Sequence, residues 1–250
     1  MNLTFRKLAG VPALGIAFFW RLSLDAGSPA FVFDHFIPEL FFDYLYIESG
    51  DVQCVQQGRT FHLPRQSLKT LFTRPVEFIY SVPLVMYGVR LKLGFTESFS
   101  VEMKANDFLE QAWVEGEAGD LETFKQQVMN HLETKRQERF PYPLFSAGLD
   151  ESDWLVNFSA RHKRRLYQAA FDLSRKELLN IRNLQAFLEQ VCDFSSQNPR
   201  IIQHMAPDVY YDQPHLNHAF KKMTGRSPVD YFETVSILQD NLMSASYNEI

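Results

Sequence analysis

Between residues 13 and 105 the hydrophobic positions recur at every second residue or in short runs. Phe42, Tyr44 and Tyr46 alternate with Asp43 and Leu45, a period of two that puts the aromatic rings on one face of a strand. Phe78-Ile79-Tyr80 and the run 85–91 read as further strands, rich in aromatic and β-branched residues. Turn-forming clusters separate them: Ala26-Gly27-Ser28-Pro29, Ser49-Gly50-Asp51 and Gln57-Gly58. Many short strands without alternating helices predict an antiparallel sandwich or barrel.

The period changes after Gly119. Asp120 is placed to cap a helix in which Leu121, Phe124, Val128 and Leu132 share a stripe. Lys135, Arg136 and Arg139 crowd its end, suiting the negative pole of the helix dipole, and Pro141 and Pro143 stop it. Residues 140–150 read as a loop. A helix over 176–191 carries Leu178, Ile181, Leu184, Leu188 and Val191 on one stripe, and Asn198-Pro199 opens another before Ile201, Ile202 and Met205. Asp212 caps a helix with Leu216, Phe220 and Met223 on one face, and Gly225 ends it. Ser227-Pro228 then starts a last helix carrying Phe232, Val235, Leu238 and Leu242. The expected class is α+β: a β-rich unit over 1–118 and an all-α unit over 119–250.

A chain of 250 residues with 46% hydrophobic content buries a full core. Its net charge of −5 excludes a protein that coats nucleic acid by charge alone. The positive charge is nonetheless concentrated. Arg161, Lys163, Arg164, Arg165, Arg175, Lys176 and Arg182 stand against only Asp172 and Glu177 between 159 and 182. Cys54 and Cys192 are too far apart in sequence to form a metal-type cluster, which fits a reducing, cytoplasmic setting. Arg6-Lys7 followed by an apolar run looks like a signal peptide, but Pro12 and Gly15 interrupt it and no small-x-small site follows. No stretch reaches the roughly 18 apolar residues that cross a bilayer as a helix. His215-x-x-His218 with Asp212 lacks a third imidazole or thiolate, and His35 and His62 are sparse for a metal-binding β domain. Neither a Gly-x-Ser-x-Gly elbow nor a glycine-rich phosphate loop is present. The expectation is a non-enzyme without cofactor or metal.

One pattern occurs twice in the last third. The sharper copy is Tyr210-Tyr211-Asp212-Gln213-Pro214-His215-Leu216 through Phe220, then Thr224-Gly225-Arg226-Ser227-Pro228. The looser copy runs from Ser159 through Arg161, Arg165 and Tyr167 to Asp172 and Ser174. Two such units joined by a helix resemble the helix-turn-helix pair of AraC-family transcription regulators, over roughly 100 residues. The β-rich half is similar, more loosely, to the sensor-like domain preceding that pair. The features concerned are Ala17-Phe18-Phe19-Trp20, Ile37-Pro38-Glu39 and Gly88-Val89-Arg90-Leu91.

The resemblance implies double-stranded DNA as the partner, with recognition helices entering successive major grooves about 34 Å apart. By position, Arg161, Arg164 and Arg165 of the first unit are implied base readers. Arginine suits that task because its guanidinium donates two parallel bonds to guanine O6 and N7. Gln213, Asn217 and His218 fall on the outward face of the second unit. Lys221 and Lys222 are placed for phosphate contact. The β domain is implied to bind a small-molecule effector or to mediate homodimerisation. Its aromatic residues serve either as pocket lining or as core.

Several residues depart from the family pattern: Asp172 and Val209 stand where glycine is usual in the turns, Lys163 where leucine is buried, and Arg175 where proline stands. Pro207 ends the helix before the second turn, and Leu40 and Leu93 replace expected Gly and Pro residues. Two other classes are therefore compatible with the chain. One is a protein-interaction module derived from a regulator without DNA binding. The other is a small-molecule-binding β domain with helical support.

Overall fold

The computed structural model describes residues 2–27, 29–99, 104–136, 158–191, 213–232 and 236–243. Strands β1 (Leu3–Ala9), β2 (Ile16–Leu24), β3 (Phe31–Phe36), β4 (Phe41–Ser49), β5 (Val52–Gln56), β6 (Arg59–His62), β7 (Gln66–Lys69), β8 (Val76–Ser81), β9 (Leu84–Lys92) and β10 (Phe108–Glu110) come first. A short helix α1 (Phe95–Ser98) precedes β10. Helices follow: α2 (Leu121–Lys135), α3 (Ala160–Phe171), α4 (Arg175–Val191), α5 (Gln213–Thr224), α6 (Pro228–Phe232) and α7 (Ile237–Met243). An antiparallel β domain followed by helices is the α+β arrangement expected.

The β domain is a sandwich. A six-stranded sheet runs β1-β2-β9-β4-β7-β10 and a four-stranded sheet runs β3-β8-β5-β6, all antiparallel. Between them lie Trp20, Leu22, Leu45, Met86, Phe36, Phe78 and Tyr80. Trp20 needs Gly88 opposite it: a Cβ on Gly88 would stand 2.2 Å from the indole. The alternate residues Phe19, Tyr44, Tyr46 and Tyr87 face the other way, onto α2. Phe124 of α2 stacks on Tyr44, Tyr46 and Tyr87 at centroid distances of 6.4, 6.3 and 5.3 Å. Asp120 caps this helix as its sequence predicts, its Oδ1 accepting from Thr123 N at 2.7 Å. Most aromatic residues of the strands thus pack against one another as core, while Phe31 and Phe33 of β3 are exposed.

Because both faces of the six-stranded sheet are covered, its polar positions are buried too. Glu39, Asp43, Lys69 and Arg90 are each at most 2% exposed and form one ionic cluster. Arg90 donates to both carboxylates, and Lys69 Nζ lies 3.0 Å from Asp43. Burial pushes Glu39 above the usual carboxylate value, against the pull of Arg90 and Lys69. For Asp43 burial pushes the same way, but Arg90 and Lys69 prevail and hold it below its ordinary value. Four charges taken from water together must satisfy one another, since removing any one leaves its partner buried and uncompensated.

The last helix does not run on from Ser227-Pro228 as the apolar spacing predicts. Two short helices stand there instead. The second, α7, starts afresh at Ser236, whose Oγ accepts from Gln239 N at 3.2 Å, and Asp34 of β3 caps it as well from 202 residues away. Asp34 Oδ1 accepts from Ser236 Oγ (2.7 Å) and Ile237 N (2.9 Å), and Oδ2 accepts from Leu238 N (2.8 Å) and Tyr80 OH (2.9 Å). Leu238 and Leu242 of α7 join the core between the sheets. Lys7 of β1 reaches the carbonyl of Leu242 at 3.5 Å. The helix therefore bridges β1 and β3, the edge strands of the two sheets.

Candidate nucleic-acid interface

The first helical unit is built on Ser159, whose Oγ accepts from His162 N and caps α3. Tyr167 and Phe171 bury one side of α3, with Phe171 stacked on Phe42 at 6.2 Å. Arg161, Arg164 and Arg165 lie on the opposite side and are exposed. Their i, i+3, i+4 spacing makes one contiguous basic face. Lys163 is only half-buried, as a lysine on the flank of that face must be if its amine is to stay wet.

Asp172 then takes the left-handed conformation (φ 54°, ψ 24°) that ends the helix. An aspartate tolerates this where most side chains do not, and its side chain stays occupied. Gln168 Nε2 donates to Oδ1 at 2.6 Å, and Ala105 N donates to Oδ2 at 3.3 Å. Ser174 and Glu177 form a reciprocal capping box at the start of α4: Glu177 N donates to Ser174 Oγ, and Ser174 N donates to Glu177 Oε2 at 2.8 Å. The 17 residues of α4 span about 25 Å. Their apolar stripe is Leu178, Ile181, Leu184, Phe187 and Leu188.

The second unit repeats this scheme. Phe220 of α5 sits edge-on between Phe187 of α4 and Tyr231 of α6, at 6.0 and 5.4 Å. Asn217, His218, Lys221 and Lys222 point away from that contact and are exposed. Gly225 (φ 75°) terminates α5, its N donating to Lys221 O at 2.8 Å. Ser227 caps α6 by accepting from Asp230 N and donates to the Asp230 carboxylate at 2.6 Å. Gln213 is the first residue of α5, but its side chain, like that of His215, is outside the described residues. So are Asn198, Pro199, Pro207, Val209 and Asp212.

Both exposed faces carry donors suited to a polyanion, and α4 is the rod between them. Among the described residues no group of three or more His, Cys, Asp or Glu is arranged for a metal ion. Among them, too, no helix is long and apolar enough to cross a membrane. Sequence reasoning missed the segment 34–40, which touches both helical units. Its contacts are with residues some 145 to 204 positions away, and no local pattern announces such partners.

No family model and no curated protein matches the sequence. Among solved structures, the chain is similar to ToxT of Vibrio cholerae at 8% identity, over 92% of this chain and 98% of that one, with a TM-score of 0.42. A second ToxT structure, from Vibrio cholerae O395, gives 9% identity over 81% and 97%, with a TM-score of 0.43. An HTH_3 family transcriptional regulator from Vibrio cholerae gives 11% identity and a TM-score of 0.26; the match covers 36% of this chain and about half (51%) of that regulator. At TM-scores below 0.5 these likenesses assign no function to this chain.

Proposed function

We propose that the protein is a sequence-specific, DNA-binding transcription regulator of AraC type, acting in the cytoplasm. The observation that carries this reading is the pair of exposed polar faces on helices that each end in a left-handed residue, Asp172 after α3 and Gly225 after α5. Arg161, Arg164 and Arg165 of α3 are one face; Asn217, His218, Lys221 and Lys222 of α5 are the other. In this reading the arginines of α3 read base edges in one major groove and α5 enters the next. Lys221 and Lys222 hold the phosphate backbone and set register without specifying sequence. The remaining surface is acidic enough, at a net charge of −5, that non-specific binding is weak and readout depends on these faces.

The β sandwich is the regulatory half, taking a small-molecule effector or a second copy of the chain. The reading needs neither catalysis nor a cofactor. Selection of bound duplexes from a random library, followed by titration of the selected duplex across salt concentrations, tests it. The expected result is an enriched motif and a linear fall of log affinity with log salt. Equal, weak binding to every duplex would favour the protein-interaction module instead.

A further inference from the structure

The end of β3 and its connection to β4 are buried from Asp34 to Glu39, with Leu40 half-buried. Connecting segments ordinarily lie on the surface because their backbone groups need water. Here the helices supply the partners. Asp34 caps α7, as described. His35 Nε2 donates to the Thr224 carbonyl, the last of α5, at 2.7 Å. Ile37 N donates to Gln239 Oε1 of α7 at 2.8 Å, and the Ile37 side chain packs among Leu184, Phe187, Leu188, Phe220 and Tyr231. Leu40 N donates to Gln185 Oε1 of α4 at 3.2 Å. From the opposite side Glu39 is tied to Arg90 and Lys69 in the buried ionic cluster of the sandwich. The ring of Phe36 lies 4.7 Å from the Lys69 ammonium.

One short stretch thus holds the rod between the two basic faces, the end of the second face's helix, and the helix that closes the sandwich. We propose that segment 34–40 is the positioning element that sets α5 relative to α4 and α3, with Glu39 fixing it to the sandwich. The proposal rests on the DNA-binding reading above only for its functional consequence. A two-site reader needs a fixed distance between its recognition helices, because the second contact gains from the first only if the geometry lets both engage together. A strap anchored in a charge cluster inside the sensor-like sandwich gives that distance a dependence on the interior of the sandwich. The coupling is a physical chain of hydrogen bonds and packing, and by linkage it acts in both directions.

Glu39→Gln tests this, with Gln239→Ala and Gln185→Ala as companions that loosen the strap from the helix side and leave the charge cluster alone. The first readout is amide hydrogen exchange of the full chain without DNA. Gln239→Ala and Gln185→Ala are expected to accelerate exchange in α5 or α7 while α2, which packs on the sandwich away from the strap, keeps its rates. Glu39→Gln, which also unpairs the buried charge cluster, is expected to accelerate α5 and α7 more than α2. The second is affinity for the selected duplex carrying both half-sites, beside versions with one half-site or with one base pair inserted between them. Affinity for the two-site duplex is expected to fall roughly tenfold, within the usual span of about 5–150-fold for coupling between sites. Single-site affinity should hold, and the penalty for the inserted base pair should shrink. Lost stability alone would not relax spacing. Uniform acceleration of exchange in every element, or a spacing penalty unchanged in all three variants, overturns the proposal. Should the wild-type chain select no DNA motif, the regulator reading fails, and the exchange pattern by itself still decides whether the strap positions α5 and α7.

Discussion

Asp34→Asn isolates the capping of α7 from everything else the strap does. The carboxylate is 3% exposed, and each oxygen accepts one hydroxyl and one backbone N–H. Asparagine keeps a single carbonyl oxygen. Whichever side that oxygen takes, the new NH2 group meets Ile237 N or Leu238 N, which cannot turn away. The hydroxyl of Ser236 or Tyr80 can rotate and accept instead. One buried backbone N–H is thus left unsatisfied, costing about 1–3 kcal/mol. Losing a charge at the helix N-terminus adds about 0.3–1 kcal/mol, at the low end because α7 is short. The sum is about 1–4 kcal/mol, read by urea unfolding monitored at the same time by hydrogen exchange of α7. Tyr80→Phe is the control; it removes one hydroxyl and should cost only about 1 kcal/mol. A loss below about 0.5 kcal/mol for Asp34→Asn, with α7 exchange unchanged, would refute the claim that this carboxylate starts the helix.

Other outcomes follow from the same geometry. Gly88→Ala puts a methyl carbon 2.2 Å from the fully buried Trp20 ring; it should cost at the upper end of the about 1–3 kcal/mol of overpacking and shift the tryptophan emission. Asp240 is pushed up to about 6 by burial, opposed by a hydrogen bond from Ser236 N and reinforced by nearby Asp34. Because its pKa is raised in the fold, its contribution is intact below the unfolded value near 3.8 and is lost as pH rises through about 6. Asp240→Asn should therefore stabilise by about 1–3 kcal/mol at pH 8 and not at all below pH 4, in urea titrations at the two pH values. Arg164→Ala and Arg165→Ala should each cost about 1–3 kcal/mol in affinity for the selected duplex and relax one base position. Lys221→Ala should weaken all duplexes alike and lower the salt slope by about one.

Much of the fold is legible in the sequence because the governing signals are local. Alternating aromatics mark β4, and Asp120, Ser159, Gly225 and Ser227 mark helix ends with their own side chains or backbone. The turn at Asp172 is readable for the same reason, since an aspartate in place of glycine still accepts a positive φ. What local patterns miss is decided at a distance. Asp43 lies between Phe42 and Tyr44 and reads as the wet side of a strand. It is dry because the second sheet covers one face and α2 the other. Ser236 offers α7 a local cap, its Oγ accepting from Gln239 N at 3.2 Å, but the second cap, Asp34, comes from β3 and no local pattern shows it. His35 and His62 read as too sparse for a metal-binding β domain, and nothing local shows that the partner of His35 is a helix-terminal carbonyl 189 residues away. At the candidate site the outward positions of α3 and α5 follow from helical spacing, but the strap that joins those helices to the sandwich carries no periodic signature.

The central claim is that the two polar faces read DNA together. Its most direct test is binding of the full chain to the selected duplex, measured by fluorescence anisotropy across salt concentrations beside an equal-length scrambled duplex. The account predicts a preference of at least about a thousandfold for the selected sequence, as specific binders show. It also predicts a linear log–log salt dependence that flattens when Lys221 and Lys222 are both replaced by alanine. Indistinguishable affinities for the two duplexes, or a salt slope unaffected by that double replacement, would contradict it.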